Sequence, residues 1–159
     1  MSAIYSPSGH VCLNAGTQVA TTAHYPFRFN TTAVVNEGSS WYNANMWSGN
    51  GSVFCPGFKG AFTFVWTLDV GYLYEGVIAK NATGGAAFDQ SPYSGATLAV
   101  FSNGPASAGS AITVTNVTVT TKFVSTNTTD YVYFGLYNPN ASVTYSTTRT
   151  GLHIYLDHI

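Results

Sequence analysis

Charged residues are scarce in this sequence. Five Lys and Arg stand against six Asp and Glu, so that 7% of the 159 residues are charged and the net charge is −1. Ordinary soluble domains carry about 25% charged residues. Because the five cations are isolated from one another, they do not match a run of phosphates, and nucleic acid is not an expected partner. A surface with so little charge repels itself weakly and is expected to associate.

Long apolar runs and helical periodicity are also absent. No stretch of about 20 apolar residues occurs, so no membrane insertion is expected. The opening stretch MSAIYSPSGH lacks the basic and apolar regions of a signal peptide. We interpret the chain as a secreted, extracellular protein whose signal was removed. The alternative is a protein that was never secreted by that route.

The sequence lacks the patterns of common enzymes and metal sites. Its two cysteines, Cys12 and Cys55, are not in a Cys-x-x-Cys spacing, so no zinc site is expected. They are candidates for one intrachain disulfide, and the open alternative is two unpaired thiols. No phosphate loop, nucleophile elbow, histidine ligand spacing or adjacent carboxylate pair is present. We therefore expect a protein that is not an enzyme and that uses no cofactor.

What the sequence does contain is β periodicity. Over residues 61–70 large apolar residues alternate with mostly polar ones: Phe62, Phe64, Trp66, Leu68 and Val70. This pattern predicts a strand over Ala61–Tyr74 with one face buried beneath a second sheet. Other strands are predicted over residues 27–35, 53–55, 77–80, 97–101, 112–124, 131–137, 144–146 and 151–156. The predicted fold class is an all-β jelly-roll β-sandwich of about ten strands over residues 17–159, after an irregular segment over residues 1–16.

A series of short motifs follows these strands in a recognisable order. They are the turn VNEG at 35–38, the loop WYN at 41–43, FCPGFKGAFTF at 54–64, KN at 80–81, TDYV at 129–132 and STTRTGLHIY at 146–155. This order resembles the globular head domain of the complement C1q and tumour-necrosis-factor superfamily, over roughly residues 17–156. Thr150 stands where that family has Phe, and the loops over 84–95 and 102–110 align poorly.

The resemblance implies more than a fold. Family members form a ten-stranded jelly roll and associate as homotrimers about an apolar, aromatic axis. Because no collagen repeat is present, the chain is similar to the stemless secreted form common among invertebrate C1q-domain proteins. The implied function is lectin-like pattern recognition in innate immunity, with carbohydrate or microbial surface ligands.

The segment 41–50 is the main candidate for sugar contact, because it is rich in aromatic and Asn residues. Aromatic rings stack on sugar faces and Asn amides bond to hydroxyls. The alternative is a loop packed against a neighbouring protomer. The candidate ligand-binding residues are Trp41, Tyr42, Asn43, Trp47, Asp89, Tyr93 and Arg149.

Two of these candidates carry charge. Arg149 would pair with the carboxylate of an acidic sugar, or else is an ordinary surface arginine near the trimer seam. The resemblance also raises a Ca²⁺ site with Asp89 and Asp130 as ligands, which the small number of acids disfavours. The identity of any metal is therefore left open.

Six N-x-S/T sequons occur, more than the Asn, Ser and Thr content alone would give. We predict glycosylation at five of them and not at Asn116, which lies in a strand-like run. The five candidates are Asn30, Asn50, Asn81, Asn127 and Asn140.

Three other functions fit the same sequence. One is a structural matrix or coat protein whose trimers assemble further through an uncharged surface. Another is a viral or phage fibre knob or capsid protein, which shares the jelly roll. The last is a receptor-binding cytokine of the tumour-necrosis-factor type.

Overall fold

A computed structural model describes residues 9–16, 23–32, 35–37, 40–71, 75–82, 96–102, 117–138, 144–145 and 149–159. Within these ranges the chain forms thirteen β-strands and one short 3₁₀ helix, Ala44–Met46. The strands are β1 Gly9–Asn14, β2 Ala23–Pro26, β3 Val35–Glu37, β4 Trp47–Ser48, β5 Val53–Phe54, β6 Gly60–Leu68, β7 Val70–Gly71, β8 Glu75–Lys80, β9 Ala96–Ser102, β10 Val117–Ser125, β11 Val132–Asn138, β12 Thr144–Tyr145 and β13 Gly151–His158. The described part of the chain contains no helix that is long and apolar enough to cross a membrane.

Eleven of these strands build two facing antiparallel sheets. Sheet I has the order β10-β6-β13-β1-β3, and sheet II has the order β4-β5-β11-β8-β9 with β2 also paired to β11. Strands β7 and β12 form a separate two-stranded ribbon. Apart from β4-β5 and β8-β9, neighbours in each sheet are not consecutive in the chain, as in a jelly roll, in which the chain crosses repeatedly between layers. The predicted all-β sandwich is confirmed.

Strand β6 is the centre of the core. It lies between β10 and β13, and its inward side chains Phe62, Phe64, Trp66 and Leu68 have no exposed surface. Across the sandwich, the Phe134 ring of β11 lies 5.6 Å from Phe64 and 5.5 Å from Trp66, nearly perpendicular to both. Edge-to-face contacts of this kind add to the free energy gained by burying the rings. The large side chains of the alternation predicted for Phe62–Leu68 therefore form the contact surface between the layers.

The expectation that residues 1–16 are irregular is wrong for residues 9–14. These residues form β1, which pairs with β13 on one side and β3 on the other. Val11 and Leu13 are fully buried. Only two large aliphatic residues alternate in this short strand, and its stability comes from ladders with residues far along the chain. The sandwich therefore begins before residue 17.

A second expectation that differs is the strand over residues 27–35. Phe27 and Phe29 are both buried, as their alternation predicts, but they do not form a strand. The Phe27 amide donates to the Phe134 carbonyl and the Phe29 amide to the Gly51 carbonyl, each at 3.0 Å. Gly51 has a φ of +89°, and a Cβ there would collide with the Phe29 carbonyl oxygen. Burial is thus obtained through loop contacts instead of a ladder.

Candidate functional site

Two of the sequence motifs meet in one buried polar cluster. Lys80 and Asn81 end β8, and Asp130 precedes β11. The Asp130 carboxylate lies 2.8 Å from Lys80 Nζ and accepts a 3.0 Å hydrogen bond from Asn81 Nδ2. It also accepts bonds from the backbone amides of Thr126 and Asn127 at 2.8 and 3.1 Å. The cluster therefore ties the 126–130 turn to sheet II.

This environment fixes the ionisation of Asp130. The hydrogen bond from Asn81 and then the contact with Lys80 hold the pKa of the carboxyl far below its ordinary value, despite burial of the group. Both carboxylate oxygens are already used by the chain, which disfavours the Ca²⁺ role considered for Asp130. Asp89 lies outside the described residues. Among the residues that are described, no group of three His, Cys, Asp or Glu could hold a metal ion.

The tryptophans of segment 41–50 belong largely to the core. Trp47 is 9% exposed, and its ring lies 5.2 Å from Phe54 and 5.6 Å from Phe29. Trp41 is half-buried and packs edge-on against Phe62 at 5.8 Å. A ring as enclosed as Trp47 offers no face to a sugar, so the proposed stacking role of Trp47 is wrong. Its indole is instead part of the buried aromatic core, where it also contacts Phe134 at 6.0 Å.

The other two candidates in this segment hold its shape. The Tyr42 hydroxyl donates to the Thr31 carbonyl at 2.6 Å, and burial raises the pKa of Tyr42 to about 12. Asn43 is exposed, and its side-chain oxygen accepts from the Asn45 amide at 2.9 Å, which caps the 3₁₀ helix. Asn43 therefore stays accessible to a ligand, whereas Tyr42 is tied to the neighbouring loop.

Arg149 is already paired within the chain. Its Nε lies 2.6 Å from Asp69 Oδ2, with the Arg149 side chain 70% exposed and the Asp69 side chain 10% exposed. The Asp69 amide donates to the buried Thr150 hydroxyl at 3.0 Å. An acidic sugar at Arg149 would have to compete with Asp69. The sequence pattern placed Asp69 on the wetter face of its strand and so gave no sign of this pair.

The remaining candidates divide by position. Asp89, Tyr93 and Asn140 lie outside the described residues, as does Asn116. Asn30, Asn50 and Asn127 are exposed. Asn81 is exposed too, but its Nδ2 donates to Asp130 and its Oδ1 accepts from the Tyr131 amide at 2.9 Å. A glycan on Asn81 would disturb the buried cluster, so Asn81 is the least suitable of the described sequons.

Both cysteines are free thiols, and the predicted disulfide is not formed. Cys12 alternates with the buried Val11 and Leu13 on β1, so it faces outward from sheet I. Cys55 follows the buried Phe54 and lines a groove on the outer side of sheet II, with Sγ 3.7 Å from the Thr128 carbonyl. The two layers of the sandwich lie between the thiols.

A polar recess lies beside the end of β1. It has a volume of about 440 Å³ and is lined by Ala15, Gly16, Arg28, Phe29, Asn30, Thr31 and Asn50. Backbone bonds fix its walls, from the Gly16 amide to the Arg28 carbonyl and from the Asn30 amide to the Asn14 carbonyl, each at 2.8 Å. The lining brings together a guanidinium, two amides and a hydroxyl without an acid. Sequence reasoning missed Arg28 and Thr31, and marked Asn30 and Asn50 only as sequons.

The outer face of sheet I is nearly uncharged over its described strands. The residues that point away from the core are His10, Cys12, Thr63, Val65, Thr67, Thr118, Thr120, His153 and Tyr155. Lys122 and Asp157 carry charge at one end, with Lys122 Nζ 3.9 Å from an Asp157 oxygen. Hydroxyl and β-branched side chains on a flat ladder suit contact with another protein surface. We refer to this set as the association face.

Comparisons with known proteins bear on the fold. No family model and no curated protein sequence matches the chain. Three crystal structures of murine APRIL, at pH 8.5, 8.0 and 5.0, superpose with TM-scores of 0.60, 0.57 and 0.57 and identities of 11%, 12% and 13%. Each covers 94% of this chain and 98% of APRIL. The chain has a TNF-like jelly-roll fold.

The TNF-like fold explains why the motifs occur in the order that the sequence shows. Lys80-Asn81 and Asp130 are separated by about fifty residues of sequence but join neighbouring strands β8 and β11. At identities this low the likeness concerns the fold alone. The closer resemblance to C1q head domains remains a prediction from the motifs.

Proposed function

We propose that the chain is a secreted, C1q-like binding protein that works as a homotrimer and recognises carbohydrate on microbial surfaces. It is a binding module and not an enzyme. The observation that carries the proposal is the association face, which spans four strands of sheet I and has its described charges at one end only. The motif order adds support, because the family it resembles forms trimers around such a face.

The association face is suited to burial. Tyr155 is 39% exposed, and Val65, Cys12 and His153 are each half-buried in the single chain. Removing such apolar surface from water contributes about 25 cal/mol for each Å². The Thr hydroxyls of the face are short, and Thr67 and Thr118 already pair with each other on adjacent strands at 3.5 Å. Little charge would have to be desolvated when subunits meet.

The polar recess supplies a plausible contact for sugar. Its volume of about 440 Å³ lies in the range of small-ligand pockets, about 300–1,000 Å³. Asn30, Asn50 and Thr31 offer donors and acceptors for hydroxyls, and Arg28 offers a guanidinium for a carboxylate. Three copies in one trimer would convert weak single-site affinity into useful avidity. We therefore place the preference on acidic glycans.

Oligomeric state tests the carrying observation. Analytical ultracentrifugation of the full chain should show a trimer at neutral pH. Val65→Asp puts a charge at the centre of the association face and should shift the chain to monomer. The matched control is Ser48→Asp, an exposed position on sheet II, which should leave the trimer intact. A wild-type chain that stays monomeric at high concentration contradicts the proposal.

A glycan array tests the ligand class. The wild-type chain should bind acidic glycans, and Arg28→Gln should reduce that binding at least tenfold. Arg149→Gln is the control, because Arg149 is paired with Asp69 outside the recess. Loss of binding in the Arg149 variant alone would move the site to Arg149. An array without signal from the assembled protein would contradict carbohydrate recognition.

One observation favours a coat or matrix protein as the second candidate. The outer side of sheet II carries an apolar groove of about 400 Å³, lined by Ser48, Val53, Cys55, Ala82, Tyr131 and Tyr133. A second uncharged surface would let trimers assemble further. Light scattering distinguishes the two: a coat protein grows beyond the trimer with concentration, and a soluble binding protein does not.

A further inference from the structure

We propose that the histidine pair His10–His153 makes self-association through the association face depend on pH, with assembly favoured at neutral pH and weakened in acid. The inference rests on the proposed function of that face and adds its regulation. Both histidines lie on central, adjacent strands, β1 and β13, and both point outward. They would therefore be enclosed when a second subunit covers the face.

The geometry of the pair requires at least one neutral ring. His10 Nε2 lies 2.7 Å from His153 Nδ1, a hydrogen bond in which one nitrogen must donate and the other accept. When both rings are protonated neither nitrogen can accept, and two positive charges face each other at hydrogen-bond distance. Doubly protonated rings must move apart, so acid changes both the charge and the shape of the association face.

The rings form part of a stack. His10 and His153 are parallel within 3°, with centroids 5.0 Å apart, and the Tyr155 ring lies 4.6 Å from His10 at an angle of 11°. Separating the histidines therefore disturbs Tyr155 as well, the large exposed ring on this part of the face. The titration thus reaches a large, partly exposed aromatic side chain of the association face.

The surroundings give little to balance the charge. Glu37 on β3 is the residue opposite His10 in the ladder. Asp157 on β13 already accepts from the Thr63 hydroxyl at 2.8 Å and lies 3.9 Å from Lys122 Nζ. On β6, the positions opposite Tyr155 and His153 are Thr63 and Val65, which do not titrate.

Another titratable group that touches the pair stays neutral. The Cys12 Sγ lies 3.7 Å from His153 Nε2, and burial raises the pKa of the Cys12 thiol. Burial, and then the charge of His10, lower the pKa of His153 from its ordinary value already in the single chain. Because a second subunit would bury the pair further, it would favour the neutral rings more strongly.

The sign of the pH effect follows from linkage. A group that is neutral in the assembly and protonated in the separate subunit takes up a proton on dissociation. Assembly is therefore fully favoured at neutral pH and weakens as the pH falls through the lowered pKa of His153, below the ordinary histidine value of about 6.5. Each proton taken up weakens association about tenfold per pH unit.

The test measures the monomer–trimer equilibrium of the full chain by ultracentrifugation between about pH 8 and pH 5. The wild-type trimer should dissociate below about pH 6.5 while circular dichroism shows that the subunit remains folded. The double variant His10→Gln with His153→Gln should flatten this pH dependence. His158→Gln, an exposed histidine at the end of β13, should keep the wild-type profile.

Each other outcome has a definite meaning. A trimer that persists from about pH 8 to pH 5 overturns the pH inference and leaves the proposed function standing. A chain that is monomeric at every pH overturns the proposed function and the inference with it. Wild-type pH dependence in the double variant, or dissociation that occurs only with unfolding, also overturns the inference.

Discussion

The two outer faces of the sandwich differ in how far their outward-facing side chains are exposed. On sheet II the outward residues Val77, Ala79 and Tyr133 are at most 5% exposed and form their own small cluster. On sheet I the outward residues are half-buried or exposed, and Tyr155 is 39% exposed. Sheet II covers much of its outer side within the chain, whereas the described outer side chains of sheet I remain partly accessible in the single chain.

The polar groups follow the same division. Sheet II is anchored by the buried Lys80–Asp130 pair, with Asp130 4% exposed. Sheet I has the more open Lys122–Asp157 pair, with the Asp157 side chain 29% exposed. The buried ion pair of this chain therefore stabilises sheet II, whereas the described charges on the outer side of sheet I are limited to one end.

The largest effect is expected in the layer that both faces share. Phe134→Ala removes a fully buried ring that contacts both Phe64 and Trp66. Leaving a cavity there should reduce the free energy of unfolding by about 4 kcal/mol. Urea denaturation of the variant measures this loss. Val124→Ala, at a site 53% exposed, is the control and should change stability by less than about 0.5 kcal/mol.

The two ion pairs provide the next test. Asp130→Asn leaves Lys80 without its partner in a mostly buried site and should cost about 3 kcal/mol. Asp157→Asn removes the longer, more exposed contact with Lys122 and should cost at most about 1 kcal/mol. Equal losses for the two variants, in the same urea experiment, would erase the distinction between the faces.

Acid titration sharpens the same point. The lowered pKa of Asp130 means that its contribution is present above the unfolded-state pKa, about 3.9, and is lost as the pH falls toward the folded-state pKa. Wild-type stability should therefore decline on acidification below about pH 5 more steeply than that of Asp130→Asn. Thermal denaturation over this pH range measures it, and parallel curves for the two proteins would contradict the assignment.

A matched pair of tyrosines compares the faces directly. Tyr133 on sheet II is 5% exposed, and Tyr133→Ser should reduce the free energy of unfolding of the subunit by about 2–3 kcal/mol. Tyr155→Ser on sheet I should lose less than about 1 kcal/mol and instead weaken trimer formation. Denaturation and ultracentrifugation are measured on both variants. The comparison fails if Tyr133→Ser weakens assembly while Tyr155→Ser leaves it unchanged.

The smallest effect is expected at Arg149. Its side chain is 70% exposed, so the pairing with Asp69 is largely screened by solvent. Arg149→Gln should therefore cost about 0.5–1 kcal/mol. Added salt should reduce the difference between wild type and variant further. A loss above about 2 kcal/mol would show that Asp69 depends on Arg149 as a buried charge does.

The core strand could be read from the sequence because its information is local. Alternation from Phe62 to Leu68 places the large apolar side chains on one face of the strand, whichever residues lie above them. The start of β1 could not be found in this way, since Val11 and Leu13 become central only through pairing with residues about 140 positions later. The error at residues 27–35 has the same origin, because single bonds to the carbonyls of Gly51, in a turn, and Phe134, in β11, replaced a ladder.

The candidate site was predicted less well than the fold. Aromatic content in segment 41–50 indicated exposed rings, but a Trp that is attractive to a sugar is equally attractive to a core, and Trp47 lies in the core. Arg28 and Thr31 carry no sequence signal, since a recess is a property of chain segments that meet in space. The alternation placed Asp69 on the polar side of the predicted strand, which indicated a solvated side chain, but Asp69 is only 8% exposed.

The sequence by itself determined the layered β architecture and the low-charge surface. Strand periodicity and composition can be read along the chain without knowing which residues meet in space. The tertiary structure alone decided which apolar residues remained outside, which acids were paired, and that His10 would meet His153 across a ladder. Those outcomes depend on contacts between distant residues. Period-two alternation assigns each side chain to a face of its strand, but only packing decides which of the two faces is covered.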